Sequence, residues 1–131
     1  MSQNLFQLTL VVKDYDEAIS FYVNKLGFSL VEDTVLSPQK RWVRVQPPGA
    51  TNGAGLLLAQ AASEEQVAAI GNQTGGRVFL FMHTDDLLSD YQRLISNDVK
   101  IIRGPEEHPY GKVLVFADLY GNLWDLIQPK S

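Results

Sequence analysis

The sequence predicts an α+β fold built from two βαβββ modules, each a curved four-stranded sheet with one helix on its outer face. Three observations lead there. Short apolar, β-branched runs recur at strand length, acidic residues stand where helices should begin, and the same order of elements is written twice in 131 residues.

Module one spans residues 5–60. Residues 5–12 (LFQLTLVV) have the length and composition of a strand. Asp14 then opens a helix, with Glu17 three residues on as capping-box partner. Ile19, Tyr22, Val23 and Leu26 share one face at helical spacing, and Gly27 is placed to end the helix. Strands follow at 28–36, 41–46 and 55–60, the last after a turn running from Pro47 to Gly53. A linker occupies 61–76, with a helix around Ser63–Gly71.

Module two spans 77–128. Val78–Thr84 reads as a strand, and Asp86 opens a helix with Leu87, Tyr91, Leu94 and Ile95 on its buried side. Strands near 100–103, 111–117 and 122–128 complete it. A shift of 72 places Gln7 on Phe79 and Asp14 on Asp86, and a shift of 68 places Gly53 on Gly121, Leu57 on Asp125 and Gln60 on Gln128. The difference between the shifts is a change in loop length. Two such sheets, from one chain or two, would enclose a cleft lined by alternate residues of each strand.

The bulk properties remove several function classes. A net charge of −4 with scattered basic residues argues against non-specific nucleic-acid binding, the sole cluster being Lys40-Arg41-Trp42-Val43-Arg44. No cysteine is present, so thiolate chemistry and disulfides are excluded. The start MSQNLFQLTLVV lacks a basic region and cleavage pattern, and apolar runs such as 78–82 are too short for a membrane span. A single cytoplasmic domain with no membrane association is expected. The loop 71–76 lacks both the glycine–lysine spacing of a phosphate loop and the strand–turn–helix setting of a dinucleotide site.

Candidate site residues follow from strand parity. Asp125 alternates with Leu123 and Ile127, so a carboxylate sits among apolar neighbours on what should be the cleft face. That placement costs free energy unless the group is paired, bonded or protonated. It is read as a substrate contact or general base, as a carboxylate bonded to an arginine or backbone amide, or as a metal ligand. Gln7 faces the cleft if Leu8, Leu10 and Val12 pack under the helix. Trp42 and Arg44 do so if Val43 and Val45 pack inward, giving an aromatic wall beside a guanidinium. The alternative makes Trp42 a dimer contact and Arg44 a solvated charge. His83 could transfer protons or bond near the helix start at Asp85-Asp86. His108-Pro109-Tyr110 is either a ligand-covering loop or a turn with a packed tyrosine, and Trp124 is expected in the core.

The stretches LTLVVKDYDEAISFYVNKLGF (8–28), HTDDLLSDYQRL (83–94) and FADLYGNLWDLIQ (116–128) resemble the vicinal oxygen chelate superfamily of glyoxalases, ring-cleaving dioxygenases and bleomycin-resistance proteins. The resemblance covers nearly all of 5–128. It implies mostly antiparallel curved sheets enclosing the cleft, helices outside, and commonly a homodimer. Metal enzymes of the family take ligands at positions that fall here on Gln7, Leu57, Phe79 and Asp125. The usual occupants there are histidine or glutamine, glutamate, histidine and glutamate. Gln7 and Asp125 could coordinate; Leu57 and Phe79 could not, and a catalytic cation generally needs three protein ligands and an open position. His83 lies about 13 Å along the strand from Phe79.

The expected function is therefore glyoxalase/bleomycin-resistance-type binding of a small organic molecule, aromatic or anionic, without a catalytic metal or other cofactor. Gln7, Trp42, Arg44, His83 and Asp125 are the expected ligand-binding residues, with Asp125 the candidate catalytic group. The alternative is a divalent-metal-dependent lyase, isomerase or dioxygenase that recruits His83, His108 or a partner chain.

Overall fold

The computed structural model describes residues 1–50 and 52–131. The chain divides into two compact units, Met1–Ile70 and Gly71–Ser131. The first contains β1 (Gln7–Val12), α1 (Tyr15–Ile19), β2 (Ser29–Ser37), β3 (Lys40–Gln46), β4 (Gly55–Gln60) and α2 (Glu64–Ala69). Its sheet has the order β1-β4-β3-β2, with β1 and β4 parallel and the other pairs antiparallel. The expected turn from Pro47 to Gly53 includes Thr51, which lies outside the described residues.

Asp14 caps α1 as its position predicts, accepting the Glu17 N–H at 2.8 Å. The helix then widens into a π-helical stretch, Ser20–Lys25, in which the Leu26 N–H reaches the Phe21 carbonyl five residues back. This corrects the expected buried face. A π turn holds more residues than an α turn, so the stripe shifts to Tyr15, Ala18, Phe21, Tyr22 and Leu26. Ile19 and Val23 are left half-buried. Gly27 closes the segment at φ 79°, a conformation that glycine adopts without strain. Under the helix lie Leu10 and Val12 of β1, Val43 and Val45 of β3 and Leu58 of β4, all fully buried.

The second unit contains β5 (Val78–His83), α3 (Leu87–Ser96), β6 (Lys100–His108), β7 (Gly111–Ala117) and β8 (Leu123–Pro129). The sheet order β5-β8-β7-β6 repeats the first, again with one parallel pair, β5 and β8. Asp86 caps α3 by accepting the Ser89 N–H at 3.1 Å, and the Gln128 amide oxygen accepts the Leu87 N–H at 2.8 Å. Leu87 and Leu94 are buried, whereas Tyr91 is half-buried and Ile95 is 48% exposed. The expected four-residue face is thus narrower: two leucines seven residues apart form the seam, and their neighbours reach its rim.

β6 runs five residues beyond its expected end. Gly104-Pro105 reads as a break, but an extra residue bulges out of β6 there, with Gly104 at φ 88° and a cis Gly104–Pro105 bond. The hairpin then turns on Pro109 and Tyr110 alone, between the paired His108 and Gly111. In so short a turn Tyr110 is not packed: it is 59% exposed, its ring stacked on His108 at 5.3 Å. Trp124 is in the core as expected, parallel to Phe116 at 6.0 Å.

Candidate functional site

Each sheet has a helix-covered face and a helix-free face, and every candidate residue is assigned by strand parity and register. In the first module Gln7, Thr9 and Val11 of β1, Leu57 and Ala59 of β4, and Trp42, Arg44 and Gln46 of β3 alternate with the buried helix-side residues. All are half-buried except the exposed Thr9. One row across the sheet reads Thr9, Leu57, Arg44, Glu32.

Arg44 organises this face. Its Nε donates to the Gln7 side-chain oxygen at 2.6 Å, reaching across β4 to β1, and its Nη1 lies 3.7 Å from a Glu32 carboxylate oxygen. The guanidinium carbon stands 5.9 Å from the centre of the Phe6 ring, at the outer limit of a cation–π contact. Arg44 is therefore tied down, in contrast to the solvated-charge alternative. Trp42 lies two residues along the same face of β3. The remaining arginine of the basic cluster points elsewhere: Arg41 bonds Asp33 at 2.7 and 3.1 Å and Asp16 at 2.9 Å. Those bonds hold the Asp33 carboxyl below its usual range.

The corresponding row of the second module reads Phe81, Asp125, Val115, Arg103. Asp125 is half-buried, and its Oδ1 is sealed from solvent with no hydrogen-bond partner among the described residues. Burial raises its pKa, and the positive charge of Arg103 offsets part of that shift. Arg103 is two strands away and pairs loosely with Glu106 at 3.6 Å. Beside Asp125, the Phe81 ring is 68% exposed. His83 stands two residues further along β5, opposite Ile127, and its ring makes no hydrogen bond to a described residue. His108 bonds Glu106 at 3.3 Å at the hairpin end.

The positions that the resemblance marks for a metal do not make a donor set. Gln7 is engaged by a cationic side chain, and Leu57 offers no donor. A bulge between Val78 and Leu80 brings the Phe79 ring edge-on to Trp124 at 6.1 Å. Among the described residues no three histidine, aspartate or glutamate side chains gather as a cation site. Sequence reasoning brought out Arg44, Gln7 and Asp125 but missed Phe6, Glu32, Phe81 and Arg103. Parity alone could have found Phe81, two residues from Phe79 and His83.

Comparison with known proteins places this arrangement. Residues 4–126 match the profile of the Glyoxalase/Bleomycin resistance protein/Dioxygenase superfamily. An uncharacterised protein of Shewanella frigidimarina (strain NCIMB 400) is 59% identical over 129 residues, 98% of this chain and 95% of its own. Among solved structures, UcmS2 superposes with a TM-score of 0.84 at 27% identity, covering 97% of this chain and 98% of that one. TnmS3, described as an antibiotic binding protein from Streptomyces sp. CB03234, gives a TM-score of 0.78 at 29% identity, with 98% of each chain covered. With two βαβββ sheets of matching order and a profile match across nearly the whole length, this chain belongs to the Glyoxalase/Bleomycin resistance protein/Dioxygenase superfamily.

Proposed function

We propose that this protein binds a small organic molecule, aromatic or anionic, on the helix-free faces of its sheets, and does so without a catalytic metal. The observation that carries the reading is the 2.6 Å bond from Arg44 to Gln7: the best oxygen donor of the first module already holds a cation of the protein's own. Similarity to an antibiotic-binding protein supports a small-molecule ligand. Gln7, Trp42, Arg44, His83 and Asp125 are the proposed contacts. A net charge of −4 and the neutralised Arg41 weigh against nucleic acid as a partner. No helix among the described residues is long and apolar enough to cross a membrane. Assembly as a homodimer and residence in the cytoplasm complete the proposal.

The test is an NMR titration of labelled protein with a panel of aromatic acids, phenols and neutral aromatics in a strong chelator. The expected result is saturable shifts at Gln7, Trp42, Arg44 and Asp125. Calorimetry that finds one stoichiometric divalent ion, lost in Asp125→Ala, would overturn the metal-free reading.

A second reading rests on Asp125. A carboxyl with a raised pKa beside an exposed aromatic ring is suited to proton transfer, which would make this a metal-free enzyme with Asp125 as base. Conversion of a bound compound, insensitive to chelator and abolished in Asp125→Asn, would establish it. Bound compounds recovered unchanged would dismiss it.

A further inference from the structure

We propose that Arg44 takes over the part a divalent cation would play in this fold: its guanidinium holds an anionic oxygen of the ligand, a carboxylate or phenolate on an aromatic ring. This rests on the small-molecule reading above and names the ligand class for the first module's face.

The geometry argues in three steps. First, position: Arg44 pairs in register with Leu57, and its guanidinium extends over β4 to meet Gln7 on β1. It thus lies over the strand that carries one family ligand position and bonds the residue at another. A metal ion near the Gln7 oxygen would meet a positive charge already there, so the two cations exclude each other.

Second, valence. A guanidinium has five N–H donors in a rigid plane. Nε is engaged by Gln7, Nη1 is too far from Glu32, at 3.7 Å, for a direct hydrogen bond, and Nη2 has no partner among the described residues. The Nη edge is consequently free to donate two parallel bonds to a planar oxyanion. The side chain keeps 23% exposure. Third, setting: the exposed Phe6 ring has its centre 5.9 Å from the guanidinium carbon, and Trp42 stands on the same face of β3, so aromatic side chains share the face with the charge. Glu32 is the built-in competitor, an anion within reach that a ligand carboxylate would displace.

The experiment compares 1-naphthoate with its neutral analogue 1-naphthalenemethanol by calorimetry at pH 7.5 in a strong chelator, using the full chain. The expected result is binding of the carboxylate about 10-fold tighter or more, as a charge-assisted bidentate bond supplies. In Arg44→Gln that ratio falls to near 1, and Arg44→Lys keeps part of it. Glu32→Gln removes the competing anion and tightens naphthoate severalfold. Equal affinities in the native protein, or weaker naphthoate binding in Glu32→Gln, would overturn the inference and leave the small-molecule reading intact. Failure of both probes to bind would remove that reading and this inference together.

Discussion

The two modules share strand order, pairing and helix placement, yet the same row across each sheet carries opposite chemistry. In the first module the positions on β4, β3 and β2 are Leu57, Arg44 and Glu32. In the second the equivalent positions on β8, β7 and β6 are Asp125, Val115 and Arg103. Charges that are neighbours in the first row are separated by a valine in the second, and the consequences differ accordingly. Arg44 finds Gln7 and comes within 3.7 Å of Glu32, whereas the Asp125 oxygen finds no partner among the described residues. The strands differ too. β3 is buried on its helix side and open on the other, while Val113, Leu114, Val115 and Phe116 bury both faces of β7. One repeat keeps a polar face in which Arg44 bonds Gln7, and the other sets a lone carboxyl in an apolar one. A duplicated backbone therefore does not imply a duplicated site.

The sharpest way to break this contrast is to write the first row's charge into the second. Val115→Arg should cost about 3 kcal/mol or more in urea unfolding, because it overfills a position 3% exposed and buries a charge. Tolerance within about 1 kcal/mol would mean the two faces are equally open. Next comes the bulge that orients Arg103. Gly104 sits at φ 88°, and a Cβ there would lie 2.8 Å from the Val113 carbonyl oxygen. Gly104→Ala should therefore lose about 2 kcal/mol. The smallest effect is a gain. Because burial raises the Asp125 pKa, the unfolded chain ionises first, near 3.8, and the folded chain keeps its proton longer. Asp125 thus lowers stability as pH rises from that value through the folded pKa. Asp125→Asn should be neutral below about pH 3.8 and stabilising at pH 7–8, by less than either loss above. A gain of equal size at pH 3 would contradict the linkage.

Strand parity was enough to place Gln7, Trp42, Arg44 and Asp125 on the helix-free faces, because a period of two survives wherever the ladder is regular. Where it is irregular, parity misleads. Ser37 pairs with Lys40, so an unbroken hairpin would set Glu32 opposite Val45 on the helix side. An extra residue in β2 between Val35 and Ser37 shifts it by one, and Glu32 meets Arg44 instead. The same happens in β6: an unbroken ladder from His108 and Gly111 would pair Arg103 with Phe116, and the bulge at Gly104-Pro105 turns it to Val115. In each hairpin the bulge nearer the turn brings a charged residue onto the helix-free face, and a second shift lies further along, between Leu30 and Glu32 in β2 and between Ile101 and Arg103 in β6. Nothing in the local composition of β2 announces that bulge, and Gly104-Pro105 reads as the end of a strand. The helix face shifted for a related reason, since a period of 3.6 does not describe a π turn.

The central claim, that Arg44 stands where a cation would and receives the ligand, is tested most directly by its own Nε–H signal in ¹⁵N-labelled protein. The bond to Gln7 predicts a resolved, slowly exchanging Nε–H that shifts together with the Gln7 side-chain amide as 1-naphthoate is added. Signals of Leu10, Val43 and Val45 beneath the helix should stay in place. An Nε–H that exchanges like that of a free arginine, or one unmoved by a probe that binds, would contradict the account.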